Sequence, residues 1–443
     1  MNSVARPWAP VSRWRAPALP RVLGFLALTV LAFAFLVLRP SQAAFVDSTG
    51  NALSRLGAGT WAGFRDLDGG KRHQCAIKSD GTAWCWGAND DGELGDDTFT
   101  DRRLPVQVQG SGGVGVFTDG VLLGAGWDHT CAVRSDGTAW CWGRWSNGRL
   151  GSGATSDRDT PQQVRGPSGV GFLTGVADIE GGDDHTCARK TDGTVWCWGQ
   201  GDRGQIGDDA TSDRTYPVQV HGVNGVGFLT DVVELSSGGD HNCARTSDGA
   251  VYCWGQGSYG QLGNNDDNDV ETPVRVVGPG GSGWMIAVEI SVGEDHTCAR
   301  QSDGTAWCWG RNDEGRLGDD TAVDRDAPVQ VVGSGGVGTL TSVERLSTGE
   351  EHTCARRADT SVWCWGENAD GQLGDDTFSD RRYPVQVETS SGFLTSVDFV
   401  GVGGFHSCAI RSSDEVWCWG KGDRGQIGNG TSADVDYAVQ SSI

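Results

Sequence analysis

The feature that most constrains this chain is a histidine that returns, two residues before a cysteine, at His73, His129, His185, His241, His296, His352 and His406. The intervals are 56, 56, 56, 55, 56 and 54 residues. A segment of that length copied seven times is one supersecondary unit in an array, not a set of independent domains of about 150 residues. Each copy reads roughly LTxVxxLxxGxxHTCARxxDGTxWCWGxxxxGQLGDDTxxDRxxPVQVxG. Short β-type runs alternate with glycine-rich turns, and the apolar periods are too short for stacked helices. Four short strands per copy predict an all-β fold, a seven-bladed β-propeller of four-stranded antiparallel blades.

All 14 cysteines fall inside the repeat, two per copy. Cys131 and Cys141 flank a three-residue loop, Ser135-Asp136-Gly137. Such a loop is a type I turn closed by a left-handed residue, and Gly137 stands at the left-handed position. Counted outward from the 134/138 closing pair, 131/141 is a non-hydrogen-bonded pair, where facing side chains come closest. The spacing therefore predicts one disulfide per copy: Cys75–Cys85, Cys131–Cys141, Cys187–Cys197, Cys243–Cys253, Cys298–Cys308, Cys354–Cys364 and Cys408–Cys418. Thr360 and Asp414 stand where the first five copies have glycine, so those two hairpins are expected to be strained or differently looped. On the other strand face Ala132 lies across from Trp140, with Trp142 two residues on, which assigns most of the 19 tryptophans to the core.

Arg6, Arg13, Arg15 and Arg21, with no acid among them, precede the apolar run Val22 to Leu38, and small residues follow at Ser41 to Ala43. That order reads as an export signal over residues 1–43, or as an uncleaved N-terminal membrane anchor, followed by a linker over 44–60 and the propeller over 61–443. Export to the envelope or extracellular space agrees with paired cysteines, which persist in oxidising compartments. The formal charge, 35 minus 58, is −23. Such a surface repels nucleic acid and anionic lipid, so no nucleic-acid partner is expected, and membrane contact is expected only through an uncleaved anchor.

Catalytic signatures are missing: there is no GxSxG, no HExxH and no P-loop. The GxGxxG matches at Gly199 to Gly204, Gly255 to Gly260 and Gly420 to Gly425 follow strands but open no amphipathic helix, and they read as turns. Sevenfold spacing holds equivalent histidines too far apart for one ion with bonds of about 2.1 Å, so each is expected to make a local hydrogen bond. Asp101, Asp157, Asp213, Asp269, Asp324, Asp380 and Asp434 precede the PVQV-type strand and read as turn residues that bond loop backbone. The pairs Asp96-Asp97, Asp208-Asp209, Asp319-Asp320 and Asp375-Asp376 match no calcium-loop pattern. No enzyme activity, metal or cofactor is expected.

Gly-x-Leu/Ile-Gly occurs seven times, from Gly92-Glu93-Leu94-Gly95 to Gly425-Gln426-Ile427-Gly428, with WCWG before it and PVQV after it. Through these motifs the chain resembles the regulator of chromosome condensation repeat family, which implies a seven-bladed propeller. The cysteine pair in every copy marks an exported variant, and Ala438 replaces the proline in the last copy. Members of that family include a nuclear exchange factor for a small GTPase, a plant ultraviolet photoreceptor and a secreted β-lactamase inhibitor, so the fold alone does not set the function. Exchange on a nuclear GTPase conflicts with export. The photoreceptor reading needs stacked tryptophans, and Trp127 alone resembles such a position.

In an up-down blade the loops between strands 1 and 2 and between strands 3 and 4 emerge on one face. In the third copy that face receives Asp183, Asp184, Asp202, Asp208, Asp209 and Asp213, while Asp192 is the only acid in the short hairpin turn of the other. The expected function is a non-enzymatic extracellular or envelope scaffold. Its acidic face carries the aspartate pairs, with Trp145 and Tyr259 as anchors for a protein partner that bears a basic patch. The alternatives are a secreted hydrolase inhibitor and a carbohydrate or cell-wall binder, the latter if Trp61, Trp145 or Trp284 lines an exposed groove.

Overall fold

A computed structural model describes residues 63–443. The segments read as export signal or anchor and as linker lie outside the described residues. Blade 1 is built from strands Phe64–Gly69, His73–Lys78, Ala83–Gly87 and Arg102–Gln107. The pattern recurs to blade 7, with Val397–Val402, His406–Arg411, Val416–Gly420 and Val435–Gln440. Every blade is an antiparallel sheet of four consecutive strands paired in chain order, so among the described residues no strand is exchanged between the first and last blades. The last sheet gains only a small hairpin, Glu388–Thr389 with Gly392–Phe393, through one parallel pair between Thr389 and Ala438.

The central hairpin of each blade follows from its turn. Arg134 N–H donates to Thr138 O at 2.9 Å, Gly137 has φ 76°, and Cys131 lies opposite Cys141 with a Cα separation of 4.1 Å in a disulfide. All seven cysteine pairs are bonded in this way. The DGT segment has its own role. Asp136 Oδ1 accepts both the N–H and the hydroxyl of Thr138, and Thr138 Oγ1 accepts the indole N–H of Trp140 at 3.0 Å. Thr360 and Asp414 do not alter the loop: they adopt the left-handed conformation themselves, with φ 65° and 62°. Asp414 uses its carboxylate to accept Gly63 N–H at 2.9 Å. For Thr360, a β-branched residue in that region, Thr360→Gly is expected to stabilise the protein by about 1 kcal/mol in thermal or denaturant unfolding. The relief outweighs the exposed bond that Thr360 Oγ1 accepts from Ser396 N–H.

The core lies between the blades. The disulfide on one side of each sheet packs against the alanine and the second tryptophan of the next blade. Cys131 and Cys141 of blade 2 cluster with Ala188 and Trp198 of blade 3, and Cys408 and Cys418 of blade 7 cluster with Ala76 and Trp86 of blade 1. Seven such clusters close the ring. Trp86, Trp142, Trp198, Trp254, Trp309, Trp365 and Trp419 are wholly buried. The first aromatic of each pair is half-buried, and five of the seven (Trp84, Trp140, Trp196, Trp363 and Trp417) carry a cation over the ring, such as Lys78 4.6 Å from Trp84 and Arg134 4.5 Å from Trp140. The assignment of most tryptophans to the core is therefore narrowed to the second of each pair; the first projects from the same sheet face but is only partly covered, as Trp140, Trp307 and Trp417 are at the edge of their clusters.

Candidate interaction site

The loops between strands 1 and 2 meet around the ring axis. Their backbones form a closed circuit: Lys71 N–H to Trp127 O (3.4 Å), Trp127 to Gly182 (3.3 Å), Asp183 to Gly239 (3.0 Å), Gly239 to Glu294 (3.2 Å), Glu294 to Gly349 (3.3 Å), Glu350 to Gly404 (3.3 Å) and Gly404 to Gly70 (3.0 Å). Close approach is what the glycine before each pair of loop residues permits. A Cβ on Gly126 would lie 2.4 Å from Gly182 O and 2.2 Å from the His129 ring.

A second circuit is made by the repeating histidines. His73 Nε2 lies 2.8 Å from Thr130 Oγ1 of the next blade, and that hydroxyl donates to Glu93 O at 2.8 Å. Thr130 must therefore accept from histidine, which puts a hydrogen on Nε2, and burial keeps the ring neutral. The same logic holds for His185 and Asn242 Oδ1 at 2.8 Å, because the Asn242 amide donates to Gln205 O. His406 reaches Gln74 Oε1 at 3.0 Å and closes the ring. Glu93 O also receives the indole N–H of Trp142 at 2.8 Å, so one carbonyl holds two side chains of the neighbouring blade. The expectation of a local bond is corrected: each histidine latches one blade to the next. Burial pushes His73 and His185 down to about 4, and His241, His352 and His406 down to about 3.

Side chains at the mouth break the repeat. The residues two before the histidines are Lys71, Trp127, Asp183, Gly239, Glu294, Glu350 and Gly404, and those one before are Arg72, Asp128, Asp184, Asp240, Asp295, Glu351 and Phe405. These fourteen positions hold eight acids and two bases. Lys71 Nζ lies 3.2 Å above the Trp127 ring and 3.7 Å from Glu350, Arg144 pairs with Asp128 at 3.1 Å, and Arg311 pairs with Asp295 at 3.2 Å. Asp183, Asp240 and Glu294 form no ion pair among the described residues. Burial, and then Asp202, pushes Asp240 up to about 6; burial, and then Glu350, pushes Glu294 up to about 8. Asp183 is held well above the usual carboxylate range by burial and by Glu294.

The loops between strands 3 and 4 carry the sequence candidates. The first aspartate of each pair is turned inward: Arg102 Nε donates to Asp96 at 2.6 Å, Arg214 to Asp208 at 2.6 Å and Arg381 to Asp375 at 2.8 Å, while Arg325 Nη2 donates to Asp319 at 2.9 Å. Asp97, Asp209, Asp320 and Asp376 are exposed, and the N–H of each bonds a backbone carbonyl of the next blade, as Asp97 does to Asp159 at 3.0 Å. The recurring aspartates at 101 and its equivalents each accept the N–H of a residue twelve earlier, such as Asn89 to Asp101 at 3.0 Å and Gly422 to Asp434 at 2.9 Å. Trp145 is exposed in blade 2, and Tyr259 is half-buried in blade 4 with Arg311 5.2 Å from its ring. Trp284 is exposed on the connection from blade 4 to blade 5, well separated in the chain from Trp145, and Trp61 lies outside the described residues.

Among the described residues, Asp91, Glu93 and Asp128 bring three carboxylates within 4.8 Å of one another. These are oxygen donors of the kind hard divalent cations accept. Comparison with sister blades shows what is unusual. Gln205, Gln372 and Gln426 occupy the position of Glu93, and each donates an amide hydrogen to an acid, Gln205 to Asp240 at 3.0 Å for example. Glu93 is buried and has no such hydrogen when ionised, and burial pushes its carboxyl up to about 8. Its folded pKa lies above its unfolded value, so the cost to stability grows as pH rises from about 4.5 to about 8. Glu93→Gln is expected to raise stability by about 1–2 kcal/mol above pH 8, with a smaller gain at pH 5, in thermal unfolding.

With this geometry in hand, known proteins place the chain. Residues 56–391 match the RCC1-like domain, and residues 397–426 match the Regulator of chromosome condensation (RCC1) repeat. The Ultraviolet-B receptor UVR8 of Arabidopsis thaliana is 31% identical over 374 residues, covering 84% of this chain and 80% of the receptor. The E3 ubiquitin-protein ligase HERC2 of Mus musculus is 29% identical over 352 residues, covering 80% of this chain but only 7% of the ligase. Human WBSCR16 superposes with a TM-score of 0.69 at 19% identity, covering 82% of this chain and 94% of that one. Yeast RCC1 (Prp20), solved bound to Kap60, superposes at 0.66 with 18% identity, covering 86% and 85%. The two structures speak for the fold alone, whereas the domain match spans most of the sequence: the chain belongs to the RCC1-like domain family.

Proposed function

We propose that this protein is a non-enzymatic binding scaffold of the cell envelope or extracellular space, which docks a protein through its acidic loop face onto a basic patch of the partner. The observation that carries the reading is the mouth, where eight acids meet two bases and three of the acids form no ion pair among the described residues. Such a field steers oppositely charged surfaces and penalises like-charged ones. The side chains best able to do chemistry are committed elsewhere, the histidines to latches between blades and the cysteines to clasps within them. Export rests on the basic and apolar opening of the sequence together with the paired cysteines. Binding of proteins has precedent in the fold, since yeast RCC1 was solved with Kap60 and Prp20p is described with binding to Gsp1p and histones. The test is capture of partners from the organism's envelope and secretome on the immobilised protein, followed by a salt titration of the complex. Affinity should fall as ionic strength rises. A captured partner that binds equally at low and high salt contradicts docking by charge.

A further inference from the structure

We propose that the axial mouth is a receptor for one lysine ammonium, supplied by a side chain of the partner and held among Asp183, Glu294 and Glu350. This rests on the reading of the loop face as a protein-docking surface. The site already contains its own template: the ammonium of Lys71 sits over Trp127 at 3.2 Å and beside Glu350 at 3.7 Å. With all three acids ionised, that resident cation leaves two negative charges uncompensated. Two positions of the ring, Gly239 and Gly404, carry no side chain. A Cβ on Gly239 would lie 3.4 Å from Asp183 Oδ2 and 3.0 Å from Glu294 Cγ, so the gap over Gly239 is flanked by both acids. A Cβ on Gly404 would lie 3.0 Å from Glu350 Oε2. That oxygen is buried with no hydrogen-bond partner, on a side chain only 10% exposed that lines the axial cavity.

An ammonium suits the space better than a guanidinium. It is a compact charge with three donors, one for each carboxylate, whereas a guanidinium is a wide planar fork. The cavity is about 80 Å³ and ringed by glycine backbone, which leaves room for a side-chain tip and little more. The acids repel one another, and burial raises Glu294 to about 8, so the empty mouth carries protons at neutral pH that an arriving cation displaces.

The test uses the full chain and the probe Nα-acetyl-lysine methylamide, so it can succeed or fail whether or not a protein partner is found. Tryptophan fluorescence and calorimetry in buffers of different ionisation enthalpy should show saturable binding, with Kd on the order of millimolar and net proton release at pH 7. Glu294→Gln should weaken binding by about tenfold or more, and Lys71→Met, which removes the resident ammonium, should tighten it by about tenfold. Asp192→Asn, in the exposed hairpin turn of the opposite face, should leave binding of the probe unchanged. The proposal is overturned if the probe does not saturate, if its Nε-acetylated form binds as well, or if calcium binds in its place. A captured partner that binds wild type and Glu294→Gln alike removes this site and leaves the scaffold reading standing.

Discussion

Acidification from pH 7 to pH 4 is expected to unfold the ring, because protonation would put a charge and an unpaired Nδ1–H on seven buried histidines. Each is buried, and each donates from Nε2 to a side chain of the next blade. Burial depresses their folded pKa below the unfolded value near 6.5, to about 4 for His73 and about 3 for His241. For such groups the stability is present above the unfolded pKa and is lost as pH falls toward the folded one. His73 alone should account for about 3 kcal/mol by pH 4, and the other six act in the same direction. An opposing change comes from acids with raised pKa, Glu93, Glu294 and Glu367 at about 8 and Asp240 at about 6, which are relieved as pH falls toward 4.5. Thermal unfolding between pH 8 and pH 4 should show a steep acid limb beginning near pH 6.5. His129→Gln should make that limb shallower. A midpoint that stays flat or rises from pH 6.5 to pH 4 would show that the latch histidines do not govern stability.

The second large effect is expected from reduction. Each disulfide closes an 11-residue loop, worth at most about 2.8 kcal/mol by chain entropy and less in a hairpin already ordered by its turn. Seven together should still contribute on the order of 10 kcal/mol. The disulfides also form the inner wall of every interblade cluster, so cutting them loosens the surface on which Trp86, Trp142 and their equivalents rest. Protein treated with reductant under mild denaturation should lose its cooperative transition about 10 °C earlier than the oxidised form. Replacement of one pair, as in Cys187→Ala with Cys197→Ala, should cost a few kcal/mol and leave the other blades paired. An unchanged melting profile after full reduction would assign the clasps no structural role.

How much of this was legible in the sequence depended on whether a feature belongs to one blade or to two. The hairpin was readable because Cys131, Gly137 and Cys141 are local: turn length sets register, and register places the sulfurs. The histidine latch was not, because a period of 56 residues shows that His73 and His129 are equivalent without showing that His73 faces Thr130. The aspartate pairs were half readable. An arginine six residues after Asp96, Asp208, Asp319 and Asp375 was visible, and it is what turns the first carboxylate of each pair inward. The mouth could have been found from the repeat itself. The position two before the histidine varies among lysine, tryptophan, acid and glycine while the glycine before it and the histidine itself repeat, and a position freed from the common packing scheme is where blades can differ in what they touch. Thr360 and Asp414 show the reverse: the sequence broke the turn rule, yet the disulfide and strand register held the loop, and the residues accepted a left-handed backbone.

Each blade is closed covalently on itself and held to its neighbours by packing, hydrogen bonds and ion pairs such as Arg424 with Asp101, with no disulfide between blades among the described residues. Peptide mapping of native protein, digested without reductant after blocking free thiols, tests this directly. The predicted result is seven linked peptide pairs, each joining cysteines ten positions apart, from Cys75–Cys85 to Cys408–Cys418, with no blocked thiol. Links between cysteines of different blades, or free thiols throughout the native material, would contradict it.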